Sequence, residues 1–388
     1  MRNLRFLPWI ALALLLAACG GNNSSGTAGS SVASTPPAPA PPPPTPPPPQ
    51  ASTVFTMTNA TAGNTVQAYR RSSDGTLASL NSVATGGTGV GHGLENQGAL
   101  TLSGDKQFLY VVNPGSNDLS VLHLTDTSME LTDRAPSGGT LPVSVAEWNG
   151  IVYVLNRNDS SGSGTGPTIQ GFQVSTSGTL SSIAGSTLTL HPTDTTANQI
   201  AISPDGNWII VTNRDSNQID VIPLQQNHVP GTPVTANSAG TGPFGFAFAD
   251  AAHLYISESG AGTTSAYDLN SQGNLLTLSA AVPTHQQTTC WLAITPDGTL
   301  VYVTNTVSSS VSSYHIAADG TLSLLISVAA TTAGPSLDLI IDKGGSYLSV
   351  LTATGSIETY SIAATSGALT SIQTLSGLPT GTNGLVSR

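Results

Sequence analysis

The amino-acid sequence predicts an all-β protein, and three observations carry that prediction. Of the 388 residues, 41 are Gly and 26 are Pro, which suit turns between strands and weaken helix interiors. Charged residues make up 8% of the chain, against about 25% in an average soluble domain. One strand-and-turn pattern also recurs through residues 54–388, with copies about 49 residues apart.

The first element of the chain is an export signal. Arg2 and Arg5 precede an apolar stretch at residues 6–18, which is too short to span a membrane and ends in small residues. The sequence LAACG at residues 16–20 resembles the bacterial lipobox, whose Cys becomes the lipidated first residue. We expect residues 1–18 to be a lipoprotein signal peptide and Cys19 to be the lipid anchor. The alternative is an ordinary secretory signal in which Cys19 is incidental.

The residues after Cys19 indicate a tether to the cell envelope. Gly20, rather than Asp, resembles the sorting signal for the outer membrane of a two-membrane bacterium, on either its periplasmic or its surface side. Residues 19–53 are rich in Gly and Ser and then in Pro, which is typical of a flexible coil followed by a polyproline II spacer. A Pro-rich stretch could alternatively be a ligand for an aromatic-lined groove.

The repeat begins with an apolar strand that usually ends in Asn. Asn59 and Thr352 end the first and last copies, and the 293 residues between them give six intervals of about 49 residues. The seven copies are Val54–Asn59, Leu109–Asn113, Val152–Asn156, Ile209–Asn213, Leu254–Glu258, Val301–Asn305 and Leu348–Thr352.

An alternating partner strand follows each copy, and a Gly-containing turn such as DGTL at residues 319–322 then leads into an outer strand. Counted from the inner element described next, each copy is the second strand of its blade and the partner is the third. The partner strands are Thr65–Tyr69, Leu119–Leu124, Ile169–Val174, Ile219–Leu224, Thr264–Leu269, Val311–Ile316 and Ile357–Ile362.

A fourth element, rich in small and apolar residues, precedes each copy except the first. These stretches are Gln97–Leu102, Val143–Ala146, Gln199–Ile202, Gly245–Phe248, Trp291–Ile294, Leu337–Ile341 and, at the C-terminus, Gly384–Val386. Small residues suit innermost strands that crowd around a central axis. Because the last stretch has no copy after it, we expect it to complete the N-terminal blade and close the ring. The sequence therefore predicts a single seven-bladed β-propeller of four-stranded blades over residues 54–388, and we expect a monomer.

The turns of this repeat resemble those of a known family. SPDG at residues 203–206, TPDG at 295–298 and DGTL at 319–322 resemble the repeat of the lactonase family of seven-bladed propellers. That family includes bacterial 6-phosphogluconolactonase and fungal carboxymuconate cyclase, and it is similar to YVTN-repeat surface proteins. The resemblance covers essentially all of residues 54–388. It implies a propeller fold and lactone hydrolysis or related cyclase chemistry.

The resemblance also implies where a site would lie. Enzymatic members carry a His-containing motif on one inner strand and an Arg-His pair after Gly-Pro on the next. The matching stretches here read NQIA at residues 198–201 and GPFG at 242–245. Neither motif is retained.

Candidate site residues lie in the loops that lead into inner strands and in those that join the second and third strands of a blade. These loops share one face of a propeller, which we name the top face. A lactonase needs a base to activate water and a cation to stabilise the oxyanion, and we expect Glu258 or His92 to be the base. The expected substrate-binding residues are Arg157, Arg214, His285 and Glu95. Alternatively these are solvated loop residues, with Arg157 paired to Asp159 and Arg214 to Asp215.

Several other classes of partner find little support. The formal net charge is −11 and no basic cluster exists, which argues against nucleic acid. The His residues lack paired metal-ligand spacing, so we expect no metal or other cofactor, although oxygen ligands near the channel could hold Ca²⁺. The Gly-rich loop at residues 86–93 precedes a strand rather than a helix, so we expect a flexible loop and no phosphate site. Cys290 opens an inner strand and is expected to be a buried structural thiol.

Two functional hypotheses follow. The first is an envelope-anchored lactonase-like lipoprotein that hydrolyses a lactone at the top face. An exported protein would not meet 6-phosphogluconolactone, which is made inside the cell. The second is a non-catalytic propeller that binds a carbohydrate, a peptide or an envelope protein on the same face.

Overall fold

The structure, a computed structural model, describes residues 52–158, 166–190 and 196–388. The expected signal peptide, Cys19 and nearly all of the linker lie outside these residues, as does Asp159. Within the described ranges, no helix has the length and hydropathy to cross a membrane.

The described residues form seven antiparallel sheets, each a blade whose strands pair in the order inner, second, third, outer. Blade 1 contains β1 (Ser52–Met57), β2 (Thr65–Arg71) and β3 (Leu77–Ala84). Blade 2 contains β4 (Leu100–Leu102), β5 (Phe108–Asn113), β6 (Asp118–Leu124) and β7 (Met129–Pro136). Blade 3 contains β8 (Pro142–Trp148), β9 (Ile151–Asn156), β10 (Thr168–Val174), and a divided outer strand, β11 (Leu180–Ser182) and β12 (Leu188–Thr189).

The remaining blades follow the same order. Blade 4 contains β13 (Ala197–Ile202), β14 (Trp208–Asn213), β15 (Gln218–Pro223) and β16 (Val234–Asn237). Blade 5 contains β17 (Pro243–Phe248), β18 (His253–Glu258), β19 (Thr263–Leu269) and β20 (Leu275–Pro283). Blade 6 contains β21 (Thr289–Ile294), β22 (Leu300–Asn305), β23 (Ser310–Ile316) and β24 (Leu322–Thr331). Blade 7 contains β25 (Ser336–Ile341), β26 (Tyr347–Thr352), β27 (Ser356–Ile362) and β28 (Leu369–Ser376).

The C-terminal strand closes the ring as expected. Strand β29 (Asn383–Ser387) pairs antiparallel with β1 and becomes the inner strand of blade 1. The Asp338 carboxylate, on the inner strand of blade 7, accepts the backbone N–H of Leu385 at 2.9 Å and so joins the last blade to the closing strand. The all-β, seven-bladed prediction is confirmed.

The core lies between blades because second strands are covered on both faces. Every residue of β5, β9, β22 and β26 is buried, whereas the outer strands are half exposed. The recurrent Tyr of the second strand also links neighbouring blades. The hydroxyls of Tyr255 and Tyr302 each donate to the carbonyl of the turn Gly in the next blade, Gly320 and Gly367, at 3.0 Å. Blade packing therefore accounts for these tyrosines.

The recurrent Asn at the end of the second strand connects strands within its own blade. Asn113 is fully buried, and its amide donates to Asp118 and Ser120, five and seven residues later, at 2.6 and 2.7 Å. Asn305 makes the same two contacts with Ser310 and Ser312 at 3.2 and 2.8 Å. The YVTN-type Asn is a structural residue of the top face.

The Gly-rich loop at residues 86–93 is tied to these asparagines. A side chain at Gly87 would lie 2.4 Å from the Asn113 amide, and one at Gly89 would lie 2.1 Å from the Asn59 backbone. The Gly89 and Gly91 N–H groups also donate to the carbonyls of Ala60 and Asn59 at 2.8 Å. The glycines permit this close packing, and these backbone contacts connect the loop to the strand end at Asn59.

Candidate functional site

The centre of the top face is organised around Glu95. The Arg214 guanidinium pairs with the Glu95 carboxylate at 2.9 Å and also contacts Asp215 at 3.4 Å. The Glu95 backbone carbonyl accepts from Arg157 at 2.9 Å and from the Asn198 amide at 2.6 Å. Three of the predicted residues, Glu95, Arg157 and Arg214, therefore meet in one cluster, which we name the top-face cluster.

The ion pair at the centre of the cluster is partly open to solvent. The Glu95 side chain is 64% exposed and that of Arg214 is 29% exposed. The pair holds the pKa of Arg214 above its usual value although burial opposes this, so Arg214 stays charged. An exposed ion pair of this kind contributes little to stability, which leaves its groups available for other contacts.

The backbone at Glu95 is strained. Its φ is 49°, in the left-handed region that costs a residue with a Cβ about 1 kcal/mol or more. Neighbouring contacts enforce this conformation, because Arg157 and Asn198 both hold the Glu95 carbonyl. Strain of this type is concentrated at functional sites.

The residues after Glu95 form the floor of the site. The Gln97 side chain exchanges two hydrogen bonds with the backbone of Leu292 in blade 6, at 2.8 and 3.1 Å. The Trp291 indole donates to the Asn96 carbonyl at 2.7 Å, and the Asn96 amide donates to the Val143 carbonyl. The sequence predicted an inner strand from Gln97, but β4 begins at Leu100 because residues 95–98 cross the channel mouth instead.

A second glutamine narrows the channel below this floor. The Gln199 side chain exchanges two hydrogen bonds with the Phe246 backbone at 2.7 and 3.0 Å. Beneath it lies a cavity of about 300 Å³ lined by both glutamines, inner-strand apolar residues and Asp338. Burial raises the pKa of Asp338 to about 8. Sequence reasoning missed Asp338, whose signal would have been a lone acid in an apolar inner strand.

Two buried oxygens at the channel mouth lack partners. Among the described residues, nothing donates to the side-chain oxygens of Asn96 and Asn198. Both amide nitrogens are bonded, to Val143 and to Glu95 respectively. Such acceptors are costly when left unpaired.

The positions where the resemblance places His and Arg-His have structural contacts here. Asn198 and Gln199 are engaged as described above. Phe244 is buried and packs edge-on against Trp291, with ring centroids 5.0 Å apart. A side chain at Gly245 would collide with the Gln97 amide at 2.2 Å. The residues at these positions therefore leave the space that residues 95–98 occupy as they cross the channel mouth.

Glu258 occupies the recurrent Asn position of blade 5 and is fully buried. Its carboxylate accepts from Thr263 and Ser265, five and seven residues later, at 2.5 and 2.6 Å. It also accepts from the Ser238 hydroxyl at 2.9 Å and the Gly240 N–H at 2.7 Å. Glu258 thus makes, as an acceptor, the connections that Asn113 and Asn305 make as donors.

The two predicted histidines lie on the top face but outside the cluster. His92 is exposed, and its Nδ1 lies 3.0 Å from the Gly93 carbonyl. His285 is exposed in the loop before β21, with a φ of 60°. In the described part of the chain, no hydrogen bond or ion pair joins either of them, or Glu258, to Glu95, Arg157 or Arg214.

Two further expectations concern Cys290 and metals. Cys290 is buried, as expected, and burial raises the pKa of its thiol to about 12. Within residues 52–158, 166–190 and 196–388, no three His, Cys, Asp or Glu side chains converge as metal ligands would. Ca²⁺ binding stays untested.

Comparisons with known proteins agree with this fold. The family model described as Lactonase, 7-bladed beta-propeller matches residues 61–165, 165–293, 232–338 and 286–383. A search of curated proteins found no match.

Solved structures from several bacteria share the architecture. The periplasmic gluconolactonase PpgL of Pseudomonas aeruginosa superposes with a TM-score of 0.70 at 16% identity, covering 87% of this chain and 99% of its own. A candidate 6-phosphogluconolactonase of Bacteroides fragilis gives 0.69 at 19%, covering 87% and 98%. A Lactobacillus plantarum protein gives 0.71 at 18%, covering 87% and 100%. At these identities the likeness establishes the fold alone.

Proposed function

Because the chain belongs to the family of seven-bladed β-propeller lactonases, we propose that it hydrolyses a lactone at the top-face cluster. The observation that carries the proposal is the strained, exposed Glu95, held by Arg157 and Asn198 and paired with Arg214 at 2.9 Å. Asn198 lies where the family resemblance expects the site. A carboxylate and a charged guanidinium within one small area are the two groups that lactone hydrolysis needs.

Each residue has a role in the proposed reaction. Glu95 takes a proton from water, whose oxygen adds to the lactone carbonyl carbon. Arg214 stabilises the resulting oxyanion and then the product carboxylate, since guanidinium groups bind such oxygens well. The ring C–O bond breaks, and its oxygen takes the proton back to give a hydroxy acid. Arg157 is a positioning residue because it holds the Glu95 carbonyl.

Glu258 has a different part in this proposal. Its oxygens already accept four hydrogen bonds, so we assign it to supporting the loop that leads into β17. His92 and His285 stay predictions as base and substrate contact, respectively.

A polyhydroxylated sugar lactone fits the site best. The Glu95 carboxylate and the Arg214 guanidinium, both open to solvent, can accept from and donate to sugar hydroxyls. The fold is shared with a periplasmic gluconolactonase. We therefore propose an aldonolactone without phosphate, such as D-glucono-1,5-lactone, as the substrate class. Cys19 would hold the enzyme in the cell envelope, where such sugars are reachable.

A second candidate function is non-catalytic binding of a carbohydrate, a peptide or an envelope protein at the same face. One observation favours it: Asn198, Gln199, Phe244 and Gly245 stand where the resemblance expects His and Arg-His, and they close the channel. A binding module would need only the exposed polar groups of the top-face cluster to contact its ligand, and it would need no catalytic base.

Proton release separates the two functions. The purified protein is given D-glucono-1,5-lactone, an aryl lactone and an acyl-homoserine lactone, with and without Ca²⁺, and spontaneous hydrolysis is subtracted. We expect turnover of the sugar lactone, lowered roughly a hundredfold in Arg214→Ala through loss of the oxyanion contact.

Arg70→Ala is the matched control. Arg70 is an exposed arginine near the end of β2, on the opposite face, and should leave turnover unchanged. Absence of turnover across the panel, in protein shown to be folded by circular dichroism, would contradict hydrolysis and favour the binding module. Equal turnover in Arg214→Ala and wild type would place the chemistry elsewhere.

A further inference from the structure

A second cavity lies on the opposite face, between blades 2 and 3. It measures about 320 Å³, and its walls include Asp105, Phe108, Tyr110, Glu147 and Val174. Its other walls come from the turns that join inner to second strands and third to outer strands, which we name the bottom face. It is therefore separate from the top-face cluster, and we name it the bottom cavity.

Glu147 breaks the repeat at this cavity. It pairs with Val152, the residue before the recurrent Tyr position. In the other six blades the residue at that register is apolar: Val386, Leu102, Ile202, Phe248, Ile294 and Ile341. An acid at this register departs from the apolar packing that the other six blades share.

Tyr110 breaks the repeat at the same cavity. Its side chain is 1% exposed, yet among the described residues its hydroxyl has no hydrogen-bond partner. The equivalent hydroxyls of Tyr255 and Tyr302 donate to the turn Gly of the next blade, and that of Tyr153 donates to the His228 carbonyl at 2.6 Å. The Tyr110 hydroxyl instead belongs to the wall of the bottom cavity. Because this hydroxyl reaches the cavity, water or a ligand there can supply the hydrogen-bond partner that the described residues do not.

The carboxylate of Glu147 is held in place and poorly hydrated. Its oxygens accept the N–H groups of Gly150 at 2.8 Å and Gly104 at 3.0 Å, one each. Burial raises the pKa of Glu147 above its usual range, with these two hydrogen bonds opposing the shift. Each oxygen keeps a free lone pair. A cation that entered the cavity would restore the favourable interaction that the carboxylate loses on burial.

The surroundings favour an organic cation rather than a metal ion or a neutral ligand. Asp105 adds a second negative charge, and its pKa is lowered by the Ser103 hydroxyl, so it stays ionised. Lys106 interacts with both acids and offsets one of the two charges, which leaves the group net negative. Phe108 and Val174 supply apolar wall, and aromatic rings attract ammonium groups. A volume of about 320 Å³ is at the lower end for small-molecule sites.

We propose that the bottom cavity binds a small organic ammonium ion, with Glu147 as its counter-ion, the Tyr110 oxygen as a second acceptor, and Phe108 and Val174 against its carbon chain. This is a binding site independent of the proposed lactone chemistry. Its test does not depend on turnover.

The test is titration of the purified protein with n-butylammonium chloride, followed by ligand-observed NMR, beside 1-butanol as the neutral analogue. We expect saturable binding of the ammonium and roughly tenfold weaker binding of the alcohol, because a charge-assisted hydrogen bond is lost. Glu147→Gln and Tyr110→Phe should each weaken ammonium binding several-fold. Glu130→Gln, at an exposed acid of β7, is the matched control and should change nothing.

A pH series gives a readout that loss of folding would not mimic. The charged or titratable groups facing Glu147 are Asp105, Lys106 and Tyr110. As the pH falls below neutrality, Asp105 stays ionised, Lys106 stays protonated and Tyr110 stays neutral, so protonation of Glu147 alone should weaken binding. Equal binding of butanol, unchanged affinity in Glu147→Gln, or no pH dependence would overturn the proposal. So would absence of binding by wild-type protein.

Discussion

At the scale of single residues, the repeat shows which polar groups are structural. Asn113, Asn305 and Glu258 share one register, and each contacts the residues five and seven places later. The Asn113 and Asn305 amides donate to side chains at those two places, whereas the Glu258 carboxylate accepts from the hydroxyls there. In blade 5 the residue at the Asn register accepts instead of donating, and it still joins the end of the second strand to the third strand.

Glu258→Gln should therefore destabilise the fold. The amide has one acceptor oxygen where the carboxylate has two, so a hydroxyl that now donates to residue 258 must accept from it instead. Hydrogen bonds to a neutral amide are also weaker than those to a carboxylate, and the expected cost is roughly 1 kcal/mol. We expect the free energy of unfolding in urea to fall by about that amount. An unchanged free energy of unfolding would show that the four contacts contribute nothing.

The tyrosines permit a paired comparison. Tyr302→Phe leaves the Gly367 carbonyl without its donor and should cost about 1 kcal/mol of unfolding free energy. Tyr110→Phe removes a hydroxyl that bonds to nothing in the described chain and should change it by less than about 0.5 kcal/mol. Equal losses in the two variants, measured by urea unfolding, would refute the difference between the blades.

Much at the residue scale was out of reach of sequence reasoning. Glu95, Arg157 and Arg214 could be placed on one face because strand order fixes which loops meet. Their contacts could not be placed, because Arg157 lies 62 residues from Glu95 and Arg214 lies 119 residues from it. Glu147 carried a readable signal, an acid at an apolar register, which aligning the seven inner strands would have revealed.

At the scale of elements, the strands were predictable and the irregularities were not. Second strands read as continuous apolar runs because both faces are covered, and their observed bounds lie within two residues of expectation. The short β4 was not foreseen. The inner strand was expected to begin at Gln97, but the Gln97 side chain bonds across the channel and Gly98 adopts a φ of 83°.

Ring closure at β25 and β29 should depend on pH through Asp338. Its folded pKa is raised to about 8, so the folded protein keeps a proton that the unfolded chain releases near the ordinary value. The stabilisation is complete below the unfolded pKa and is lost as the pH rises through about 8. The free energy of unfolding should thus decline over that window in wild type.

Asp338→Asn, which cannot titrate, should show a shallower decline over the same window. The comparison is made by urea unfolding at several pH values, so that other titrating groups cancel between the two proteins. A parallel decline in both would mean that Asp338 does not hold its proton in the folded state.

At the scale of the whole molecule, the ring explains why two distinct sites can coexist. Every blade presents loops at both faces, and packing between blades keeps those faces apart. The top face concentrates Glu95 and two arginines, whereas the bottom cavity arises where blades 2 and 3 depart from the repeat. Fold and face were predictable from periodicity, because seven copies and an unpaired C-terminal strand admit one closed arrangement. The chemistry of the two proposed sites was not predictable in this way, because it depends on residues that depart from that periodicity.

The most direct measurement is the steady-state hydrolysis of D-glucono-1,5-lactone by wild type and by Glu95→Gln at constant pH. The account predicts that kcat falls at least about a hundredfold while KM changes little, because the base is removed and Arg214 remains. An unchanged kcat in Glu95→Gln, or no hydrolysis by folded wild-type protein, would contradict the assignment of lactone chemistry to the top-face cluster.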